Sequence, residues 1–128
     1  MAKNILVIDD EGLVTKSLKK LLNKEGYNAI VATSGQEAIE KVKVLNFDLI
    51  ICDVRMPQLD GIETIEKLRQ IQKETGKPPV PEIFITGYAD QDKYKHALKL
   101  GVTDYIFKPF DTTQFLEAIK RNLDAAKE

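Results

Sequence analysis

The sequence has few of the residues and features that mark disulfide-linked, secreted or membrane-spanning proteins. Its 128 residues include a single cysteine, Cys52, and a single histidine, His96. One cysteine cannot form an internal disulfide, and such scarcity is typical of proteins from a reducing compartment. No apolar run approaches the roughly 18 residues that cross a membrane. The run Ile5–Ile8 is followed at once by acidic residues, which argues against a signal peptide. We therefore expect a cytoplasmic protein without membrane contact.

The chain also lacks an excess of charge of either sign. Its formal net charge is −1, from 19 Lys and Arg against 20 Asp and Glu. This balance excludes a generally basic nucleic-acid-binding domain, and we expect no direct nucleic-acid binding. Apolar residues make up 43% and charged residues 30% of the chain, which is typical of folded proteins. The length suits one domain, spanning residues 1–128, that can build a core without metals or disulfides.

Five short apolar segments alternate with five helical patterns. The segments are Ile5–Ile8, Ala29–Ala32, Leu49–Cys52, Ile83–Ile85 and Tyr105–Phe107. Because they are continuously apolar rather than alternating, they indicate strands buried on both faces. Between them, apolar residues recur at helical spacing: Val14, Leu18, Leu21 and Leu22; Ala38, Val42 and Leu45; Ile62, Ile65 and Leu68; Tyr94, Ala97 and Leu98; Phe115, Leu116, Ile119 and Leu123. This order predicts one doubly wound α/β domain with a parallel sheet and right-handed crossovers.

Several residues mark where the predicted helices begin and end. Gly26 and Gly101 lie where two of the helices should end. Three prolines within the segment Pro78–Pro81 predict a loop, to which we assign no function from the sequence. Three helix starts have the spacing of a capping box: Ser34 with Glu37, Asp60 with Glu63, and Asp111 with Gln114.

Polar residues follow four of the predicted strands, where ligands of doubly wound sheets bind. The first strand leads into Asp9 and Asp10, the third into Asp53, the fourth into Thr86 and the fifth into Lys108. Crowded carboxylates repel one another unless a cation joins them. Oxygen ligands without His or Cys favour Mg²⁺, with Mn²⁺ as the alternative. A carboxylate beside a metal ion and an ammonium group can attack phosphorus.

These residues and their neighbours resemble the receiver domain of two-component response regulators. The motifs are Asp9-Asp10, Asp53 with Met56-Pro57 and Asp60-Gly61, Thr86, and Tyr105-Ile-Phe-Lys108-Pro109. The resemblance covers roughly residues 3–124, and five elements in the right order make it specific. It implies a single flavodoxin-like (βα)5 domain with strand order 2-1-3-4-5. It further implies a phosphorelay switch, not an enzyme with a small-molecule product, although the domain would assist its own phosphorylation and dephosphorylation.

The resemblance implies a role for each residue around the acidic cluster. Asp53 would accept a phosphoryl group from a phosphohistidine of a sensor histidine kinase or phosphotransfer protein. Asp10, Asp53 and the backbone carbonyl of Arg55 would bind Mg²⁺ directly, and Asp9 would hold a metal-bound water. Lys108 would pair with the phosphoryl oxygens or, before phosphorylation, with Asp53.

The remaining implied roles concern switching and its duration. Thr86 would donate its hydroxyl to a phosphoryl oxygen, and Tyr105 would then turn inward. This would alter the face built by the fourth helix, fifth strand and fifth helix, which a downstream effector or output domain would contact. The Lys108–Pro109 peptide bond would be cis. The phosphoryl lifetime would depend on three variable positions: Arg55 and Tyr88, which could shield the group, and Gly87, which leaves it open.

Three alternatives compete with this interpretation. A phosphatase with an aspartyl-phosphate intermediate would place two acids two residues apart after its first strand, whereas Asp9 and Asp10 are adjacent. A flavodoxin-like cofactor binder needs a phosphate-binding loop there, and the run Asp9–Glu11 would repel a phosphate. A degenerate receiver that only binds partners is disfavoured because the set of five residues is intact.

The other candidate residues have ordinary structural explanations. Cys52 should point away from Asp53 by strand alternation and be an inert buried thiol. His96 is expected at the surface or on a partner face. Four lysines of the first helix predict a solvated face near which kinases of the family dock: Lys16, Lys19, Lys20 and Lys24. The few residues after the last helix leave no room for an output domain. We therefore expect either a stand-alone receiver or one domain of a longer protein. Phosphorylation-dependent dimerisation is compatible with both alternatives.

Overall fold

The computed structural model describes residues 2–87 and 91–125, and these form five strands and five helices in strict alternation. In chain order the elements are β1 Asn4–Ile8, α1 Gly12–Lys24, β2 Asn28–Ala32, α2 Gly35–Val44, β3 Leu49–Asp53, α3 Gly61–Glu74, β4 Glu82–Gly87, α4 Gln91–Leu100, β5 Asp104–Lys108 and α5 Thr112–Ala125. All pairings in the sheet are parallel, and the strand order is β2-β1-β3-β4-β5. The doubly wound flavodoxin-like fold expected from the sequence is confirmed.

The sheet buries an apolar core on each face. Along β1, Ile5 and Val7 pack with residues of α1 and α5, whereas Leu6 and Ile8 pack with residues of α2 and α3. Side chains of a strand alternate between faces, so a strand covered on both sides needs apolar residues at every position. This is why the strand sequences are continuous apolar runs.

Most of the predicted helix boundaries are confirmed. Asp60 and Glu63 form a complete capping box at α3, and Asp111 and Gln114 exchange the same pair of hydrogen bonds before α5. At α2 only half the box forms, because Ser34 accepts from the Glu37 amide while the Glu37 carboxylate accepts from Thr33. Gly26 and Gly101 follow α1 and α4 with φ values of 91° and 74°, which glycine adopts most readily.

Two residues predicted to lie on buried helix faces are instead exposed. Leu45 follows the last residue of α2 and is 41% exposed, because Ile39 completes the buried stripe of that helix. Leu98 of α4 is 49% exposed, since the neighbouring Ala97 faces the core. Each helix has only 10 residues, too few turns for spacing alone to define the buried face. The Tyr94 side chain lies outside the described residues.

The topology brings four strand ends to one edge of the sheet. β2 lies on one side of β1, whereas β3, β4 and β5 follow on its other side. The gap between β1 and β3 is therefore the switch point where such sheets bind ligands. Register places Ile8 beside Cys52 and Asp53 beside Ile85, and it places Gly87 beside Lys108. The residues that end these strands are therefore neighbours. None of the helices in the described ranges has the length and apolar character to cross a membrane.

Candidate functional site

Three carboxylates meet at the carboxyl edge of the sheet. Each of Asp9, Asp10 and Asp53 has a carboxylate oxygen within 4.8 Å of one from the other two. Asp9 and Asp53 are buried, whereas Asp10 is exposed. The sequence expectation that these residues share one edge is confirmed. Concentrated negative charge with one open side is an arrangement suited to a hard cation.

Asp53 is held by two hydrogen bonds at the last position of β3. Its Oδ1 accepts from the backbone amide of Arg55 at 3.1 Å, and its Oδ2 accepts from Lys108 Nζ at 2.9 Å. Burial opposes the charge of Lys108, but its hydrogen bond to Asp53 and the negative charges of Asp53, Asp9 and Glu11 together outweigh burial and raise the pKa of the ammonium group. The Asp53 carboxylate is thus held beside the positive charge of Lys108. The peptide bond between Lys108 and Pro109 is cis, as expected.

Gly61, at the start of α3, packs directly against the backbone that carries Asp53. A Cβ at this position would collide with the Asp53 carbonyl oxygen and lie 2.8 Å from the Val54 Cα. The Gly61 amide also donates to the Val54 carbonyl at 2.9 Å. This close approach explains why a glycine follows Asp60, and it fixes the β3–α3 loop relative to the acidic cluster.

Asp9 is the most constrained of the three acids. Its Oδ1 accepts from the Glu11 amide at 3.0 Å, while its Oδ2 is buried without a hydrogen-bond partner in the described parts of the chain. Burial, with a contribution from the nearby Asp53 charge, raises the pKa of Asp9 to about 6. A buried carboxylate oxygen without a partner is suited to a cation, bound directly or through a water. The residues present therefore fit a divalent metal ion.

The raised pKa of Asp9 predicts how metal-free stability depends on pH. The pKa of Asp9 rises from its ordinary value of 3.8 to about 6 in the folded chain, so the protonated form of Asp9 stabilises the fold. This contribution to stability is lost as the pH rises through about 6. At pH 8 with EDTA, Asp9→Asn should raise the free energy of unfolding by about 1–3 kcal/mol, and the gain should vanish near pH 4. Urea denaturation measures this, with exposed Asp10→Asn as the control of smaller effect. An equal Asp9→Asn effect at both pH values would contradict the electrostatic explanation.

The residues expected to act in switching are Thr86 near the end of β4 and Tyr105 near the start of β5. Thr86 is 1% exposed, and the one hydrogen bond that its hydroxyl makes among the described residues is a long contact of 3.5 Å to the Gly87 carbonyl. Such a bond is weak, so the hydroxyl is able to change partner. The half-buried Tyr105 donates its hydroxyl to the Ala97 carbonyl of α4 at 3.0 Å. This links β5 to α4 directly.

Two of the three positions expected to tune the phosphoryl lifetime lie within the described residues. Arg55 is exposed and its amide donates to Asp53, Gly87 is half-buried and pairs with Lys108 in the sheet, and Tyr88 lies outside the described residues. Cys52 is fully buried, as expected, and burial raises the pKa of its thiol well above the ordinary range. His96 is exposed, as are the four lysines of α1.

Sequence reasoning missed two polar networks away from the acidic cluster. Arg69 of α3 binds both oxygens of the buried Glu82 through its Nε, at 3.1 and 3.0 Å, and donates to the Leu100 carbonyl at 2.8 Å. Arg121 and Asn122 of α5 both bind Asp104. Each arginine is 13 or 17 residues from its acidic partner and lies on a different element. No local sequence pattern therefore connects the two residues of a pair.

Comparisons with known proteins agree on the family. The sequence pattern of the response regulator receiver domain matches residues 5–120. The chain is 34% identical over 122 residues to the chemotaxis protein CheY of Thermotoga maritima, covering 94% of this chain and 98% of that protein. A solved CheY-like receiver domain protein from Methanospirillum hungatei JF-1 is 31% identical, with a TM-score of 0.88 and coverage of 99% and 98%.

Longer proteins match as well. The transcriptional regulatory protein ZraR of Escherichia coli (strain K12) is 36% identical over 120 residues, which are 94% of this chain and 26% of that protein. The chain thus spans about a quarter of the length of this curated relative.

Proposed function

The chain belongs to the response regulator receiver domain family, and we propose that it is a phosphorelay switch whose phosphoacceptor is Asp53. The phosphoryl donor is a phosphohistidine of a sensor histidine kinase or of a histidine phosphotransfer protein. The domain extends over residues 1–128, with its core at 3–124. It acts in the cytoplasm as a signalling domain and assists its own phosphorylation and dephosphorylation.

The observation that carries this proposal is the environment of the Asp53 carboxylate. It combines two further acids with an ammonium group 2.9 Å away. In phosphoryl transfer, a carboxylate oxygen of Asp53 bonds to phosphorus as the bond from phosphorus to the histidine nitrogen breaks, and the electron pair of that bond returns to the imidazole. Lys108 then neutralises charge on the transferred oxygens.

The acidic cluster further supports a role for Mg²⁺, with Mn²⁺ as the alternative. Asp10, Asp53 and the backbone carbonyl of Arg55 would hold the ion, and Asp9 would bind it through a water. When bound, it would supply positive charge next to the phosphoryl oxygens. The unpartnered Asp9 Oδ2 and the all-oxygen donor set support this assignment.

Removing Asp10 tests the metal assignment. Asp10→Ala should weaken Mg²⁺ binding by at least about tenfold, because it removes one direct ligand. Titration followed by amide chemical shifts measures the affinity, and Asp48→Ala serves as a matched variant outside the cluster. Unchanged affinity in Asp10→Ala would remove this residue from the metal site.

Acetyl phosphate tests the central proposal without the cognate kinase. Incubation with acetyl phosphate and Mg²⁺ should add the mass of one phosphoryl group, and EDTA should prevent this. An acyl phosphate is cleaved by alkali, unlike a phosphoserine. A label that survives alkali would show that the chemistry is wrong.

Phosphorylation is proposed to act on the face formed by α4, β5 and α5. New phosphoryl oxygens offer charge-assisted contacts to the Thr86 hydroxyl and to Lys108. Movement of Thr86 would make room for the Tyr105 ring, whose hydroxyl now binds Ala97 of α4. Breaking that bond would loosen α4 from β5. The phosphoryl group thereby shifts the balance between two states, and a downstream effector or output domain distinguishes them.

Thr86→Ala should separate phosphorylation from switching. This variant is expected to keep labelling on Asp53 but to lose most of the response at residues 95–105. Amide chemical-shift mapping with the phosphoryl mimic beryllofluoride measures the response. Shifts confined to the neighbourhood of Asp53 in the wild-type chain would contradict the switch and leave the phosphorylation proposal standing.

Arg55, Gly87 and Tyr88 are proposed to set the phosphoryl lifetime, through shielding by the two larger side chains and open access at the glycine. The partners are proteins: the phosphodonor, and an effector or output domain that contacts the switched face. Phosphorylation-dependent dimerisation through that face fits the same scheme. We assign the domain no direct binding to nucleic acid or membranes.

A further inference from the structure

A second candidate binding site lies at the amino edge of the sheet, opposite Asp53. It is an open cavity of about 670 Å³, within the range usual for ligand sites. Its walls are the carboxyl-terminal part of α3, the proline-rich loop before β4, Glu82 at the start of β4, and Gly101 and Thr103 between α4 and β5. The proline-rich loop, to which no function is assigned from the sequence, therefore forms one side of a cavity.

The side chain of Gln72 places a primary amide at the wall of this cavity. Gln72 lines the cavity and is only 5% exposed. Its backbone carbonyl accepts from the Lys77 amide at 2.8 Å, but its side-chain amide makes no hydrogen bond within the described ranges. A primary amide that lies at the wall of an open cavity offers a ligand both a donor and an acceptor. A peptide group presents the complementary acceptor and donor.

The charges around the cavity favour an anion. Arg69, Lys73 and Lys77 line it, and Glu82 is the one acid among the lining residues. Arg69 already neutralises Glu82, and Lys77 Nζ donates to the carbonyl oxygens of Val42 and Leu45 rather than to a carboxylate. Lys73 is exposed and has no ion pair within the described parts of the chain. Lys73 and Lys77 therefore have no carboxylate partner among the residues that the structure describes.

Apolar groups complete the surface. Pro79 and Val80 line the cavity, and the bond from Lys77 to Leu45 places the end of α2 beside it. Val44 and Leu45 there are 77% and 41% exposed. A ligand that carries both a carboxylate and an apolar side chain matches this combination better than a free inorganic anion.

We propose that this cavity binds an extended acidic peptide segment of a partner protein. A backbone amide group of the segment pairs with the Gln72 side chain, a carboxylate lies at Lys73, and an apolar side chain packs on Pro79 and Val80. The site is separate from the phosphoacceptor, so it does not depend on the phosphorelay proposal.

Amide chemical shifts of the ¹⁵N-labelled chain test the proposal with two matched peptide mixtures. Both contain N-acetylated, C-amidated tetrapeptides with one Leu, Val or Pro. The acidic mixture also carries Asp and Glu, and the neutral mixture carries Asn and Gln in their place. The acidic mixture should shift the Gln72 side-chain amide and the backbone amides of 73–77 and 101–103 saturably, and the neutral mixture should bind at least about tenfold more weakly. Equal or absent shifts with the two mixtures would overturn the proposal. So would the same shifts produced by inorganic phosphate alone or by concentrating the chain alone.

Two variants distinguish binding from structural roles. Lys73→Glu should weaken acidic-peptide binding at least about tenfold, whereas Lys67→Glu, exposed on the same helix outside the cavity, should not. Gln72→Leu should weaken binding with little change in the melting temperature, because the amide lies at the wall of an open cavity and makes no hydrogen bond among the described residues. If Gln72→Leu leaves binding unchanged, or if both charge reversals weaken binding equally, the assignment is wrong.

Discussion

Replacing Asp53 by asparagine is expected to lower acetyl-phosphate labelling of the chain by more than roughly 10³-fold, to the background. The amide has nearly the shape of the carboxylate but no nucleophilic oxygen anion. Asp9 and Asp10 lie within 4.8 Å, yet neither carries the direct contact to Lys108 that Asp53 has. The neighbouring acids are therefore poor substitutes for the nucleophile.

The Asp53→Asn experiment needs a folded variant and a matched carboxylate control. The amide oxygen at this position can still accept from one of the two donors, the Arg55 amide or Lys108, so the fold should be retained, and urea denaturation checks this. Asp111→Asn is the control, because Asp111 is an exposed acid that caps α5 and Asn caps helices equally well. Full labelling of Asp53→Asn, or loss of labelling in Asp111→Asn, would contradict the assignment.

Loss of Arg69 is expected to have the largest effect on stability. Arg69→Met should lower the free energy of unfolding by about 2–4 kcal/mol, because it leaves the Glu82 carboxylate buried without its cation. It also removes the hydrogen bond to the Leu100 carbonyl, which attaches the end of α4 to α3. Urea denaturation at neutral pH measures the change.

A second substitution shows whether the unpaired charge is the cause. Glu82→Gln in the Arg69→Met background should restore at least about half of the lost stability, since no charge then remains buried. The exposed pair of Lys43 and Glu40 on α2 provides the comparison, and Lys43→Met should change stability by less than about 0.5 kcal/mol. No recovery in the double variant would assign the loss to packing of the Arg69 side chain instead.

The sequence could predict the acidic edge because the relevant positions are tied to strand ends. Once the five apolar runs are assigned to one parallel sheet, Asp53, Thr86 and Lys108 must lie at the same edge, whatever the loops do. The strand order follows only from the resemblance to receiver domains, whereas the shared edge of the acids follows from their positions at the ends of parallel strands. The hydrogen bonds of Asp53 and the unpartnered oxygen of Asp9 depend on ångström-scale packing, which apolar spacing does not encode.

The amino edge could not be predicted in the same way. Glu82 is a buried acid at the first position of β4. Its partner Arg69 lies in the middle of α3, at a position that the apolar spacing of this helix assigns to the polar face. The cavity beside them forms between a loop, a helix end and a turn that are distant in sequence. Leu45 and Leu98 fit a helical period yet are exposed, because neighbouring residues face the core instead.

The most direct measurement locates the phosphoryl group itself. Treating the acetyl-phosphate-labelled chain with borohydride reduces an aspartyl phosphate to homoserine, and peptide mass spectrometry then identifies the position. The account predicts homoserine at position 53 alone, only after incubation with Mg²⁺. Homoserine at position 9 or 10, or a phosphoryl group found on His96 or on a hydroxyl side chain, would contradict it.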